Sequence, residues 1–502
     1  MGSGDVQDIA IQLLQHADSV RREVTPSIAA GRKSALGQFM TPAPVAHFMA
    51  SLFPPSTLET CRLLDAGAGV GALTCAFLDR WAVGDGFVFE KAEVEAYEVD
   101  AVLRGHLEET LASYATRLPV AVHVLSGDFI HDAALKRMAP ARFTHAILNP
   151  PYKKINSLSD HRLILRQAGI ETVNLYSAFV ALALAQMQPG GQLVAIIPRS
   201  FCNGPYYRPF RDFLLHHAAL RHMHLFASRT KAFKDDDVLQ ESLIIRLERG
   251  GSQGAVTVSN STDDGFADLV THEHPFDRIV FPGDPEGFIH VPTSPGRNAI
   301  ELCERIRCSL PDIGVEVSTG PVVDFRQLDY IRQQPAEGTV PLLYPKHFVG
   351  QETQWPKTGM KRGNSIELNS DTEKWLFPNG FYTVVRRFSS KEEPRRIIAS
   401  VVRPDSFADA PMLGFENHLN VFHQDKHGLP EALAYGLAAF LNTTAVDDQF
   451  RRFNGHTQVN ATDLRLMKYP DRKTLTALGT WAQSHKVLTQ GMMDDQLKQL
   501  AG

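Results

Sequence analysis

Residues 148–152 read Leu-Asn-Pro-Pro-Tyr and close an apolar run, Phe143–Leu148. They place an amide oxygen (Asn149), a backbone carbonyl (Pro150) and an aromatic face (Tyr152) at one point of the chain. Two acceptors and a flat apolar surface are what is needed to hold a planar amine while a methyl group is delivered to its nitrogen. The exocyclic amine of a nucleobase is a poor nucleophile, because its lone pair is delocalised into the ring. If Asn149 Oδ1 and the Pro150 carbonyl each accept one N–H, the nitrogen moves toward tetrahedral geometry and its lone pair is freed for in-line attack. Acceptors aimed at the charge developing on nitrogen stabilise the transition state more than the ground state. No base is required beforehand, since the proton can leave after the methyl group has arrived. The same residues also fit a plain strand-ending turn, with Asn and Pro as ordinary breakers.

A donor site is written upstream. A strand pattern runs into Asp65-Ala-Gly-Ala-Gly-Val-Gly71, where Gly67, Gly69 and Gly71 allow a tight turn and close backbone approach to a ligand. Asp65 at the strand end could accept from an amino group, which a pyrophosphate site would repel. The next strand pattern ends in Glu98-Val-Asp100, and a carboxylate there can accept both hydroxyls of a ribose. The third ends in Gly127-Asp128-Phe129. Asp128 could bind an adenine amino group and Phe129 could lie along the ring; a helix cap is an equally open reading of Asp128. Carboxylates at three consecutive strand ends suit S-adenosylmethionine, a cationic nucleoside, better than a nucleotide bearing phosphates.

The elements that must position these groups are legible in the hydrophobic pattern. Strand candidates are Cys61–Asp65, Val94–Val99, Val120–Leu125, Phe143–Leu148, Gln192–Ile197, Arg221–Phe226 and Leu239–Leu247. Helical patterns such as Ala72–Trp81 and Leu175–Met187 lie between most of them. Alternation of this kind predicts an α/β, Rossmann-like doubly wound sheet of seven strands, closed by an antiparallel final pair. Residues 1–35 read as a polar helical segment with a short stripe at Ile9, Ile11, Leu13 and Leu14, and 36–250 as the catalytic domain. Glu248-Arg-Gly-Gly-Ser-Gln-Gly-Ala255 reads as a linker, and 256–502 as a less regular α+β domain.

Composition sets the outer bounds. The 502 residues, 43% hydrophobic and 21% charged, describe a globular chain of two or more domains. Five cysteines (61, 75, 202, 303, 308) without paired spacing argue against a disulfide framework or structural zinc and fit a reducing cytoplasm. His145 and His161 have no metal-ligand spacing, so no metal is expected. Cys202, in Ser-Phe-Cys-Asn-Gly, lacks the Pro-Cys context of a ring-attacking nucleophile and reads as buried. The amino terminus lacks a basic flank and apolar core, so no signal peptide is expected, and no apolar run is long enough to span a membrane. A net charge of −5 does not suggest a protein that coats nucleic acid, but basic residues concentrate late in the chain.

The ordered set of glycine loop, strand-end carboxylates and Asn-Pro-Pro-Tyr resembles the amino-group DNA methyltransferases of the γ arrangement, the group of the TaqI and PstI modification methylases. Leu36-Gly-Gln-Phe-Met-Thr-Pro-Ala-Pro-Val-Ala-His-Phe-Met49 is similar to the segment preceding the glycine loop in that group. The match spans about residues 34–250. It implies a class I methyltransferase sheet, S-adenosylmethionine as cofactor, and Gln38, Thr41 and Pro42 bordering its methionine moiety. It also implies a base-stacking aromatic in the loop Phe226–Asp237, where Phe233 is an apolar residue among charges. A stacked base must leave the duplex to reach such a pocket, at a cost of a few kcal/mol. Tyr152 and Phe233 stacking on its two faces, worth roughly 1–3 kcal/mol per base, would offset much of that.

A cofactor pocket needs no second domain of this size, so the carboxyl-terminal half is expected to recognise the DNA target. Lys346, Lys357, Lys361 and Arg362 lie among aromatics, and Arg386 and Arg387 in a basic stretch, as phosphate-tracking residues do. Phe450–Asn460 gathers Arg452, Asn454, Thr457, Gln458 and Asn460, groups able to read base edges. Two phrases, 318–326 and 454–463, resemble the PstI/BsuBI branch. For any single arginine the competing reading is a surface salt bridge. The whole reads as a site-specific adenine-N6 methyltransferase acting on duplex DNA, with a cognate restriction endonuclease sharing its site without stable binding. Glutamine N5, RNA adenine N6 and cytosine N4 remain open as target amines, as does a catalytically silent DNA-binding subunit.

Overall fold

The computed structural model describes residues 18–23, 40–136, 140–227, 241–297, 299–350, 352–390, 392–454 and 457–501. The chain divides into two units, Met1–Pro295 and Gly296–Gly502. Among the described residues, no helix is long and apolar enough to cross a membrane.

The first unit is built on β1 (Thr60–Ala66), β2 (Lys91–Tyr97), β3 (Val120–Leu125), β4 (Phe143–Leu148), β5 (Met187–Pro198), β6 (Ala218–Phe226), β7 (Ser242–Arg249), β8 (Val256–Ser261) and β9 (Val270–His274). They form one sheet in the order β3-β2-β1-β4-β5-β7-β6-β8-β9. Strands β1 to β5 are parallel neighbours, and β7 enters antiparallel between β5 and β6. All seven expected strands are present, but the sheet has nine, because β8 pairs parallel with β6 and β9 antiparallel with β8. The β6–β7 pair therefore does not close the sheet. Successive residues of a strand point to opposite faces, and both faces are covered. Leu64 and Ala66 of β1 join one core cluster, and Cys61 and Leu63 the other.

The same observation corrects the domain boundary. Residues 248–255, read as a linker, turn the chain from β7 into β8 within the first unit, and the division falls at Pro295/Gly296. Val256 and Val258 are buried and extend the first core, so glycine and serine here mark a turn only. The stripe at residues 9–14 lies outside the described residues; residues 18–23 are helical.

The helices that frame the sheet's upper edge are α1 (Ala43–Ser51), α2 (Ala72–Ala82), α3 (Ala101–Ala115), α4 (Phe129–Leu135), α5 (Asp160–Gln167) and α6 (Leu175–Ala185). After β1 the chain builds outward to β3, then returns to place β4 on the other side of β1. At such a reversal the loops leaving the carboxyl ends of neighbouring strands diverge and open a crevice.

The second unit is α+β. A four-stranded sheet runs Glu316–Thr319, Leu419–His423, Tyr382–Arg386, Ala399–Val402, and a five-stranded one Ile331–Arg332, Ser365–Glu367, Thr339–Leu343, Met412–Phe415, Leu376–Pro378. Helices α7 (Glu431–Leu441) and α8 (Arg472–Gln483) cross closely, with α9 (Gln490–Ala501) beyond them.

Candidate functional site

A cavity of about 380 Å³ opens where β1, β2, β3 and β4 end. Gly67 and Gly69, Glu98, Asp128 with Phe129, and Asn149 contribute to its wall from four successive strand ends, and Thr41 from the segment before α1. The site is thus assembled by sheet order rather than by proximity in sequence.

The glycine loop has the backbone that its composition predicts. Gly67, Gly69 and Gly71 adopt φ of +82°, +58° and +91°, values that a Cβ strongly disfavours. The Gly67 and Ala68 amides both donate to the Tyr97 carbonyl at 2.9 Å, tying the loop to β2. Gly71 stands off the cavity and serves packing instead: a Cβ there would meet Leu107 Cδ1 at 2.8 Å.

The carboxylates divide the work differently from the sequence expectation. Glu98 is buried on the cavity wall, its two oxygens accepting from the Gly69 amide (2.9 Å) and the Asp100 amide (2.7 Å). Burial raises its pKa. Asp100 caps α3 by accepting from the Val102 and Leu103 amides. Asp128 is the helix cap that was one of its two readings: Oδ1 caps α4 through the Ile130 and His131 amides, while Oδ2 faces His161 Nε2 at 2.9 Å on the cavity wall. Burial pushes the Asp128 carboxyl up, but the His161 contact and the helix amides outweigh it and hold it below the usual range. The same contact raises His161. Although sequence spacing gave no metal pattern, Asp128, His131 and His161 bring donor atoms within 4.8 Å of one another.

Asp65 departs from expectation. It does not wall the cavity but sits behind the glycine loop, fully buried, with Oδ2 accepting from Thr74 Oγ1 at 2.7 Å. Its Oδ1 has no hydrogen-bond partner among the described residues. Burial is the main cause that raises its pKa to about 7. From roughly pH 4, where an unfolded aspartate ionises, to about pH 7 the folded chain therefore holds a proton that the unfolded chain has lost. Stability contributed at this site must fall as pH rises through that window. Asp65→Asn keeps an acceptor for Thr74 and removes the titration. We predict that its melting temperature exceeds that of the native chain by a margin that widens from pH 4.5 to pH 7.5. Parallel melting curves across that range would reject the assignment.

Asn149 follows the fully buried β4 and lines the cavity. Nδ2 donates to Thr41 Oγ1 at 2.9 Å, and the Tyr152 hydroxyl donates toward Oδ1 at 3.3 Å and the Ile196 carbonyl at 3.2 Å. Pro150 is buried and Pro42 caps α1, both behind the wall. Tyr152 was expected to offer a stacking face, but its ring packs half-buried against the core, edge-on to Tyr176 at 6.2 Å. Its side chain is directed at Asn149 and is not among the residues that wall the cavity. Gln38 and Phe233 lie outside the described residues. Cys202 is buried with its thiol pushed up to about 12, and His145 is buried against Phe53, Phe77, Phe87 and Phe89 and lowered to about 4.

The sequence did not single out Phe179, Lys153, Lys154 or His161 as wall residues. Phe179 belongs to an apolar helical run that reads as core. The other three follow Tyr152, where an exposed polar segment carries no periodic signal; Ile155 and Leu175 amides donating to Val173 and Lys153 carbonyls fold that segment back beside the cavity.

In the second unit, Lys346, Lys361 and Thr457 are exposed, and Lys357 Nζ donates to the Lys346 carbonyl at 2.9 Å. Arg362 pairs with Asp324, Arg386 with Glu393 and Arg452 with Glu301, the salt-bridge alternative for each. Arg387 donates to the Asn417 carbonyl (3.2 Å) and Gln458 Oε1 (3.3 Å). Asn454, expected to read bases, is interior: it accepts from buried Arg396 at 2.8 Å and donates to Asp463 and to the Gln458 carbonyl, both at 3.1 Å. Asn460 forms a capping box with Asp463. Residue type marked both as base readers; neighbours hold Asn454 in the interior and engage half-buried Asn460 in the helix cap.

Residues 124–233 match the Eco57I restriction-modification methylase family. The chain is 51% identical over 498 residues to the type II methyltransferase M.BsuBI of Bacillus subtilis, covering 97% of this chain and 98% of the relative. It is 41% identical over 469 residues to the type II methyltransferase M.PstI of Providencia stuartii, covering 91% of each. Among solved structures, the type IIL restriction-modification enzyme MmeI in complex with DNA shares the fold, with a TM-score of 0.53 at 9% identity over 99% of this chain and 74% of that one.

Proposed function

The chain belongs to the type II DNA methyltransferases of restriction-modification systems, in the PstI/BsuBI branch, and on that premise we propose that it methylates the N6 amine of an adenine turned out of duplex DNA, with S-adenosylmethionine as donor. The observation that carries the reading is that Asn149 lines one cavity with the glycine loop, Glu98 and Asp128. A donor moiety and an amine acceptor can therefore meet within a single space.

The residues present suit that donor. Buried Glu98 offers acceptor oxygens where a ribose would lie, and Asp128 and Phe129 together offer an acceptor and an aromatic surface for an adenine. Carboxylates at these positions would repel a phosphate chain and favour a cationic ligand. When bound, the sulfonium supplies an activated methyl group; the protein contributes orientation and electrostatics. Asn149 Oδ1 accepts one N–H of the target amine; the Pro150 carbonyl, behind the wall in this structure, would have to come forward to accept the other, and the proton released after transfer passes to solvent. Asp65, behind the wall, braces the loop through Thr74 instead of touching the ligand. Phe233 remains our proposed partner for the flipped base, with Tyr152 acting through Asn149 instead of stacking, and Gln38 and Thr41 remain our proposal for the methionine end.

Residues 36–250 with the strands that follow supply catalysis, and the second unit supplies target recognition. Exposed Lys346, Lys361 and Thr457 are its proposed DNA contacts, with Lys357, Arg387 and Gln458 beside them. Arg362, Arg386 and Arg452 would have to exchange a carboxylate for a phosphate. We place the enzyme in the cytoplasm, acting on the chromosome at a site shared with a cognate endonuclease.

The test is methyl transfer from labelled S-adenosylmethionine to duplex DNA, RNA and protein, followed by nucleoside analysis. The expected product is N6-methyladenine in duplex DNA. Label in N4-methylcytosine, RNA or glutamine would replace the target amine, and no transfer to any acceptor would reduce the chain to a scaffold.

A further inference from the structure

In the second unit, Arg362 is held in a way that leaves one edge of its guanidinium open. Two acidic side chains share its Nη1: Asp324 Oδ2 accepts from it, and Glu416 Oε1 lies 3.9 Å away. Nε and Nη2, whose N–H bonds run parallel along another edge of the plane, have no hydrogen-bond partner among the described residues. We propose that this edge reads a guanine of the target sequence, donating to O6 and N7 in the major groove, and that Asp324 and Glu416 are the positioning residues that aim it. The inference rests on the reading of the second unit as the part that recognises DNA.

Burial sets the direction. The Arg362 side chain is 53% exposed, against 9% for Asp324 and 0% for Glu416. The acids therefore grip the guanidinium from the protein side, and they are themselves fixed. Asp324 Oδ1 accepts the Phe325 amide at 2.7 Å, and Glu416 accepts the His418 amide at 2.9 Å and contacts His418 Nδ1. Their backbones are tied together: the Val322 amide donates to the Phe415 carbonyl at 3.1 Å, and the Asn417 amide to the Val322 carbonyl at 2.9 Å. Arg362 stands just before the strand Ser365–Glu367, where a Cβ on Gly363 would strike the Arg332 carbonyl. Fixing a long arginine costs rotamer entropy; here folding bears that cost and binding does not.

Charge decides between a base and a phosphate. Two carboxyl groups around one guanidinium leave no excess positive charge for a phosphate, which would also have to displace one of them. A base edge is neutral and need displace neither. In the major groove guanine presents two adjacent acceptors, whereas adenine sets a donor beside its acceptor, thymine presents one acceptor and cytosine a donor. Exposed Phe325 and Leu328, on the turns that begin at Asp324, leave apolar surface beside the fork.

The site is first located by modified-base sequencing of DNA from cells expressing the full chain. Each guanine in it is then replaced in turn by 7-deazaguanine, which keeps Watson–Crick pairing and lacks the N7 acceptor. Methyl transfer, as kcat/KM, is compared for the native chain, Arg362→Lys, Arg362→Ala and Asp324→Asn. At one guanine the native chain should lose about fivefold, one hydrogen bond of the pair. On the unmodified duplex both Arg362 variants should lose roughly 10- to 100-fold, be indifferent to replacement at that guanine, and respond normally at the others. Asp324→Asn should shrink the native response at that guanine, a ratio that a general loss of stability does not move. A site without guanine, a native chain insensitive to every replacement, or Arg362 variants that keep the full response at each guanine would overturn the proposal. Uniform weakening on every sequence, with a salt slope reduced by about one, would overturn it in favour of a phosphate contact. An unchanged response in Asp324→Asn would overturn the positioning role. If Arg362→Ala does not fold, Arg362→Lys and the native chain apply the same criteria. A native chain that methylates no duplex DNA would instead sink the underlying reading, and this proposal with it.

Discussion

Asn149→Ala should lower single-turnover methylation by roughly 10²–10³-fold, the loss seen when one oriented hydrogen-bonding group at a site of developing charge is removed. Cofactor affinity should stay within about threefold, because Glu98, Asp128 and the glycine loop make their share of the cavity wall without Asn149. Folding should be spared as well. The side chain stands on a cavity wall, so truncation enlarges a space already open and leaves no sealed void. Stopped-flow or quenched methylation, cofactor titration and a melting curve on the same preparation separate these outcomes. Turnover within tenfold of the native chain would sink the assignment, and a parallel loss of cofactor binding would move Asn149 from substrate to cofactor. No pH optimum near neutrality is expected from a general base at the site, since Asn149 does not titrate.

The largest stability effect is expected far from the chemistry. Helices α7 and α8 cross with Gly436 against Gly479, and a Cβ built on Gly479 would lie 1.6 Å from the Ala432 carbonyl oxygen. One built on Gly436 would lie 1.8 Å from that of Leu475. Alanine ordinarily gains about 1 kcal/mol over glycine in a helix interior. Here the obstacle is backbone, which cannot rotate away as a side chain can, so the helices must separate along their crossing and give up contacts across it. We expect Gly479→Ala to cost ~3 kcal/mol or more, at the upper end of overpacking penalties, which corresponds to roughly 6–12 °C for a unit of this size. Differential scanning calorimetry reads it directly; an unchanged or raised melting temperature would refute the close crossing.

Legibility from sequence followed the range of the physical cause. β3 and β4 match the strand candidates Val120–Leu125 and Phe143–Leu148 residue for residue, and the helical pattern Ala72–Trp81 became Ala72–Ala82. Periodicity is imprinted within a few residues, and a buried parallel strand must be apolar throughout. By contrast, the Gly-Gly-Ser-Gln-Gly stretch after residue 248 looks the same whether it ends a domain or turns between β7 and β8. Only the burial of Val256 and Val258 separates the two.

The same division runs through the site. By itself the sequence determined that Gly67 and Gly69 could bend a backbone against a ligand, that carboxylates stand at strand ends, and that Asn149 sits where two prolines stop a strand. These are properties of local backbone chemistry. Only the tertiary structure decided that Glu98 faces the cavity while Asp65 hides behind it, that Asp128 divides its oxygens between a helix cap and His161, and that Tyr152 is directed at Asn149. It alone drew Asn454 inside, against Arg396, and set Thr41 beside Asn149. A polar side chain has the same donors and acceptors wherever it stands; which of them remain free for a ligand depends on the partners that distant segments bring, and local sequence does not encode that meeting.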